Sequence, residues 1–323
     1  MPTFNRVAFE ISTFPIYWYG LIMAASVLAG VAIAFTRQKY YLIEKGAALD
    51  FMLYAVPVSL VFSRIYYVAF SWDQFAGDWV SVFYFRLGGL AIYGAVIGGL
   101  LTAIVFARVK RIPFGVIADL FAPSLLIGQA IGRWGNFMNQ EAYGTVINNP
   151  SFNFFPLAVF IEATGQWHMA AFFYESAWCF IILIIILIAE RRNVFYKSGD
   201  LFIWYALLYA AERVIVEGLR TDSLYVGGLR VSAALSLAIS VTACAYFLVR
   251  AISRKAWLRG PIWFILCMPL FGASVIYTNA LALGELSALW QTAASALALL
   301  FVIPLYQLGR PRRARFKREA FTE

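Results

Sequence analysis

The feature that most limits what this chain can become is a repeat of apolar runs, each close to the roughly 20 residues an α-helix needs to cross a bilayer. Nine such runs are read from the sequence, near residues 17–36, 49–70, 88–107, 114–133, 169–189, 200–219, 231–249, 261–281 and 287–307. In hydrocarbon every backbone polar group has to be paired within the protein, which leaves helices and closed barrels. A barrel strand crosses in only about 9–11 residues, so these runs predict helices. The expected fold class is all-α, a polytopic transmembrane helical bundle. Composition agrees: 62% of the 323 residues are hydrophobic and 13% charged, against about a quarter charged in a soluble domain. The two halves show no clear internal repeat, so an inverted-repeat transporter has no support from the sequence.

The net charge of +9 raises the question of nucleic acid, but the distribution of basic residues answers it differently. Arg37, Lys39 and Lys45 follow the first run, Arg108, Lys110 and Arg111 the third, and Arg191, Arg192 and Lys197 the fifth. Arg250, Arg254, Lys255 and Arg259 follow the seventh, and Arg310, Arg312, Arg313, Arg315, Lys317 and Arg318 the ninth. The intervening connections carry only Arg6, Arg86, Arg220 and Arg230. Under the positive-inside rule this alternation predicts an outside N-terminus and a cytoplasmic C-terminus, with the basic tail anchored on anionic lipid. No aromatic-basic RNA-binding motif is present, and no nucleic-acid partner is expected. Cys179, Cys244 and Cys267 each lie in an apolar run without a CxxC pair, so neither a metal site nor a disulfide is expected, and no cofactor is called for. Residues 1–14 do not have the form of a cleavable signal peptide. Two long connections on the outer side, 71–87 and 134–168, are where a substrate would arrive.

Chemistry is expected where charge enters the apolar runs. Arg64, Arg133 and Arg213 lie in or at the outer end of three different runs. An arginine near the bilayer centre costs about 2.5–3.5 kcal/mol even on insertion scales, so three of them predict a polar cavity with an anionic occupant. A guanidinium suits a phosphate, since its donors are forked and its charge permanent. The alternative is internal pairing with Glu141, Glu175, Glu212 or Glu217. Tyr209, Arg213 and Glu217 recur at intervals of four and form one helical stripe, with Glu212 beside it. The densest signal is Gly132-Arg133-Trp134-Gly135-Asn136-Phe137-Met138-Asn139-Gln140-Glu141-Ala142-Tyr143-Gly144. Its glycines are expected to permit tight turns and close approach of backbone to ligand. Taken alone, the segment makes a polar, lipid-facing site, compatible with an enzyme or with a phospholipid-binding or transporting protein that does no chemistry.

That segment resembles the signature of the prolipoprotein diacylglyceryl transferases, G-R-x-G/A-N-F-hydrophobic-N-x-E-x-x-G, at every specified position. The resemblance extends over roughly residues 15–250, through Trp18-Tyr19-Gly20, Ser63-Arg64-Ile65-Tyr66-Tyr67, Gly88-Gly89-Leu90 through Gly98, Asp119 and Pro123, His168, Tyr174-Glu175-Ser176, and Arg213 with Glu217. It implies seven family spans in a transferase domain over residues 1–255. Two accessory helices at 256–308 and a basic tail at 309–323 are then additions. It also implies the reaction: the diacylglyceryl group of phosphatidylglycerol passes to the lipobox cysteine of a prolipoprotein, forming a thioether and releasing glycerol phosphate. The location implied is the bacterial cytoplasmic membrane, with the active site toward the outer leaflet. On this reading Arg133 and Arg213 bind the phosphate, with Arg64 and Tyr209 also in the lipid site. Asn136, Asn139 and Tyr19 bind glycerol or phosphate oxygens. Glu141 and Glu217 hold the arginines in register, or one of them accepts the thiol proton. Many members carry a histidine where this chain has Tyr93, which is assigned to substrate positioning or proton relay. His168, the single histidine, is expected to be structural.

Overall fold

The computed structural model describes residues 6–41, 43–84, 88–220, 225–226, 229–253, 259–279, 299 and 301–308. Eight long helices run through them: α1 (Trp18–Arg37), α2 (Ala47–Phe70), α3 (Ile92–Val109), α4 (Phe114–Asn139), α5 (Ala171–Arg191), α6 (Asp200–Leu219), α7 (Val231–Ser253) and α8 (Arg259–Asn279). Residues 301–308 are also helical. Three two-stranded antiparallel hairpins join them: β1 (Val7–Ile11) with β2 (Phe14–Tyr17), β3 (Ala158–Ile161) with β4 (Gln166–Met169), and β5 (Tyr225–Val226) with β6 (Leu229–Arg230). The bundle is helical as expected, and the hairpins are additions that the apolar pattern did not signal.

Among the described residues, six helical segments are long and apolar enough to cross a membrane: 18–41, 47–70, 92–109, 114–139, 171–191 and 231–253. α6 has a span's length, 20 residues, but carries Asp200, Glu212, Arg213 and Glu217. Most of the run expected at 287–307 lies outside the described residues, as do Arg86, Arg254, Lys255, Glu285 and the basic tail. The fourth helix departs from expectation by running six residues past Arg133, to Asn139. Gly132 and Gly135 therefore sit inside a helix rather than in turns. The chain turns instead at Gln140 and Ala142, with φ of 54° and 55°.

The described residues form two compact units. One runs from Val31 to Ser124. Here Gly94 and Gly98 let α3 press against α2: a Cβ on Gly94 would meet the Phe62 carbonyl, and one on Gly98 would come within 2.9 Å of Ser59 Cα. Small residues at such a seam are how membrane helices pack, since lipid supplies no hydrophobic drive between them. Arg37, expected as a loop cation, is buried and donates to the carbonyls of Leu120 and Asp119 and to the Tyr41 hydroxyl. Its charge braces α1 on α4 instead of facing water.

The other unit takes in the chain up to Gly30 and from Leu125 onward. Its core joins Leu207 and Ala211 of α6 and Cys244 and Phe247 of α7 to Cys267 of α8 and to Val302, Leu305 and Tyr306. Asp200, the first residue of α6, is fully buried. It accepts from the amides of Tyr196 and Lys197, from Arg250 at 2.5 Å and from the Tyr306 hydroxyl at 2.9 Å. The Tyr306 ring stacks on Tyr196 with centroids 4.9 Å apart. A hydrogen bond to a charged group contributes about 1.5–3 kcal/mol. Tyr306→Phe is therefore expected to lower stability by that amount, read as a reduced thermal midpoint in detergent. An unchanged midpoint would show that Asp200 is sufficiently paired without it.

Candidate functional site

The site is organised around a buried carboxylate. Glu175 stands in the second turn of α5 and is 0% exposed. The next residue docks α5 on α4: Ser176 Oγ donates to the Ala130 carbonyl at 2.7 Å and accepts from Trp134 Nε1 at 3.2 Å. That contact sets Glu175 opposite the last turns of α4, where Arg133 forms an ion pair with it. From α6, Arg213 Nη1 reaches Glu175 Oε1 at 3.1 Å, while its Nη2 holds Glu217 Oε2 at 2.7 Å, one turn along the same helix. Arg220, just past α6, approaches Glu175 Oε1 at 3.3 Å. Buried Arg230 donates to the Glu217 carbonyl. A lone carboxylate at this depth would be prohibitive, and three guanidinium groups on one acid leave the cluster with positive charge to offer an anion.

The signature segment is folded to hold this layer. Gly135 lies against the Tyr19 ring, and a Cβ there would come within 2.9 Å of Tyr19 Cδ2. Arg6 donates to the Asn139 carbonyl at 3.1 Å, tying the first hairpin to the end of α4. Beyond the turn, the Gly144 amide donates to the Met169 carbonyl at 2.8 Å and the Thr145 amide to the Leu219 carbonyl at 3.0 Å. Gly144 also forms a β-bridge with Arg220. The end of the signature thus fixes the position of Arg220, the third arginine. His168 hydrogen-bonds through one ring nitrogen to the Gly144 carbonyl and through the other to Thr164 Oγ1, both at 2.9 Å. Its ring is a latch in this hairpin, as a structural histidine would be.

Of the residues expected from sequence, Arg133, Arg213 and Glu217 are brought together. Tyr209 lies one turn before Arg213, within electrostatic reach of both Arg133 and Arg213. Asn136 and Asn139 occupy the final turn of α4 and are partly buried, and Glu141 is exposed beyond it. Tyr19, the second residue of α1, is 39% exposed, lies against Gly135 and is within electrostatic reach of Arg133 and Glu141. Arg64 and Tyr93 belong to the other unit. There Arg64 donates to the carbonyls of Ser81, Val82, Gly88 and Gly89 at 2.7–3.0 Å. Gly88 and Gly89 turn those carbonyls inward at φ of 87° and 72°, a conformation glycine adopts without strain. Tyr93 sits at the start of α3, its ring 6.1 Å from that of Tyr66.

Two residues were under-read from sequence. Glu175 is in the sequence one of four possible partners and part of Tyr174-Glu175-Ser176, while the structure makes it the acid that three arginines share. The signal was its isolation, a single acid entering an apolar run with no charged neighbour within a turn. Arg220 was counted as a loop cation. It continues the stripe of Tyr209, Arg213 and Glu217 at the next helical interval, which is the pattern that identifies it.

The chain matches the family described as "Prolipoprotein diacylglyceryl transferase" over residues 6–249. A relative from Bacillus cytotoxicus is 40% identical over 254 residues, covering 77% of this chain and 93% of its own. One from Oceanobacillus iheyensis is 42% identical over 254 residues, covering 76% and 88%. Both are named phosphatidylglycerol–prolipoprotein diacylglyceryl transferase.

Proposed function

The chain belongs to the prolipoprotein diacylglyceryl transferase family, and from that premise we propose that it moves the diacylglyceryl group of phosphatidylglycerol onto the lipobox cysteine of a prolipoprotein. The thioether forms as glycerol phosphate leaves. The observation that carries the reading is the layer of Arg133, Arg213 and Arg220 on one buried carboxylate, in a chain whose relatives are named for this transfer. The leaving group is a phosphate monoester that gains negative charge as the carbon–oxygen bond breaks. Fixed cations already in place stabilise that charge without reorganising. Arg133 and Arg213 hold the phosphate, and Glu175 and Glu217 keep their guanidinium planes in register. Tyr19, Asn136, Asn139 and Tyr209 bind the glycerol and phosphate oxygens, with Glu141 at the entrance. Arg64 is a further residue assigned to binding phosphatidylglycerol. The enzyme lies in the bacterial cytoplasmic membrane with the site toward the outer leaflet, the N-terminus outside and the basic tail in the cytoplasm. Seven spans make the transferase domain, residues 1–255, and 256–308 add two more.

The test is direct. Purified protein, phosphatidylglycerol vesicles and a lipobox peptide should yield a thioether-linked diacylglyceryl peptide by mass spectrometry. Absence of product with a folded protein would reject the function. Tyr93 is assigned to orienting the lipid beside the acceptor. Tyr93→Phe is then expected to raise the apparent KM for phosphatidylglycerol less than about tenfold, in keeping with the roughly 0.5–1.5 kcal/mol net contribution of one hydrogen bond, with turnover nearly unchanged. A fall in turnover of about 10²-fold or more would instead mark the phenol as a proton relay. Tyr93→His should retain activity, because imidazole fits the same space and both donates and accepts.

A further inference from the structure

Transfer to a thiol releases a proton, and the acids and the histidine described so far are poorly placed to take it. His168 has one ring nitrogen engaged by Thr164 and the other by the Gly144 carbonyl. Glu175 and Glu217 are held by arginines, and Glu141 is exposed past the end of α4. Glu212 differs from all of these. It lies on α6 beside Arg213, is 2% exposed, and neither carboxyl oxygen has a hydrogen-bond partner among the described residues. The charged and titratable groups that act on it are Glu175 and Cys179 from α5, Arg133 from α4, Tyr209 and Arg213 from α6, and Arg220. A buried carboxyl that sits beside the arginine layer, with neither oxygen hydrogen-bonded among the described residues, is placed to take up a proton, whereas one locked by arginine is not.

We propose that Glu212 is where the proton of the acceptor thiol comes to rest during transfer. This deepens the transferase function and rests on it. The thiol S–H bond breaks and its proton passes to the Glu212 carboxylate. The sulfur forms a bond to the glyceryl carbon. The carbon–oxygen bond to phosphorus breaks with its electron pair on oxygen, and glycerol phosphate departs. One negative charge appears on the phosphate as one disappears from Glu212, so total charge is conserved. Neutralising Glu212 also removes an anion that competes for Arg133 and Arg213 at the moment the leaving group requires them. Glu212 is thus tied to the arginine layer by charge balance.

The test compares full-length wild type, Glu212→Gln and Glu212→Asp with phosphatidylglycerol vesicles and a lipobox peptide, measuring kcat, KM and the pH profile. Glutamine preserves shape and cannot accept the proton. Its kcat is expected to fall about 10²-fold, the lower end for loss of acid–base catalysis. KM for phosphatidylglycerol should be no higher than in wild type. The loss of activity toward acid that a titrating carboxylate produces should vanish, leaving a profile set by the thiol. Glu212→Asp should keep that acid limb at a displaced position and retain most of the turnover. A Gln variant with wild-type kcat and pH profile would overturn the proposal. So would equal losses in both variants with the acid limb unmoved, since that is the mark of a packing defect. If the Gln variant is not recovered folded, the Asp variant decides: a displaced limb supports the proposal and an unmoved one rejects it. Inactivity of the wild type itself would reject the transferase function, and this inference with it.

Discussion

Arg133→Lys and Arg213→Lys are each expected to lower turnover by about 10²–10³-fold, the loss typical of removing one preorganised donor from a developing oxyanion. Charge is conserved in both variants, so the loss isolates geometry. Arg213 uses its two terminal nitrogens on two different acids, Glu175 and Glu217. An ammonium is a point donor on a flexible stem and cannot span both while presenting a third N–H to the phosphate. Arg133 pairs with the same Glu175 from the opposite helix, and a lysine there would be drawn onto the carboxylate. The effect should appear chiefly in kcat, because the charge that most requires the fork develops as the ester bond breaks. Steady-state kinetics on folded, purified variants are the measurement. Near-normal turnover in both lysine variants would remove the phosphate assignment.

The second large effect is on stability. Glu175→Gln should destabilise the protein by about 3–5 kcal/mol, the range for breaking a buried ion pair by removing one partner. The three arginines that converge on this acid would keep their charges and lose their common counter-charge. Glu217 remains for Arg213, which leaves Arg133 more affected than Arg213. The thermal midpoint in detergent should drop accordingly, and activity should be lost even below it. Added phosphatidylglycerol should restore part of the midpoint, because its phosphate supplies an anion to the same guanidinium groups. A variant as stable as wild type would show that Glu175 does not hold the layer together.

The helices were the most legible part of the chain, because nothing else satisfies a backbone in lipid. The sixth run, 200–219, coincides with α6 at both ends. Its left-handed Gly199 and the apolar period mark the start and course without tertiary information. The fourth was misjudged at its end. Polar residues from Arg133 onward read as the exit from the membrane, yet Trp134 and Phe137 pack on Phe172 and keep the chain helical to Asn139. The hairpins were not legible, since strands of two to five residues carry too little alternation to stand out from an aromatic loop. At the site, Arg133, Arg213 and Glu217 were visible as charges in an apolar setting. The partner they share was not, because pairing across helices depends on rotation about each axis. Ser176 and its contact with Ala130 fix that rotation for α5. Likewise, Glu212 is in the sequence a neighbour of the stripe and one of four possible partners, and its lack of hydrogen bonds among the described residues is a property of packing.

Asp200 begins the helix that carries Arg213 and Glu217, and one of its partners, Tyr306, follows 106 residues later. A nascent chain that has reached residue 250 already contains the signature, the arginine layer and Arg250, but not the tyrosine that holds Asp200 at the foot of α6. At translation rates of about 5–20 residues per second, the stretch from residue 250 to Tyr306 takes roughly 3–11 s. The enzyme therefore has a built-in order of completion. Its arginine layer is synthesised first, and the brace on its main helix arrives with the last part of the chain. A premature stop anywhere in that window yields a protein with every signature residue and an unbraced α6, a species that quality-control proteases would recognise by its exposed core rather than by any missing chemistry.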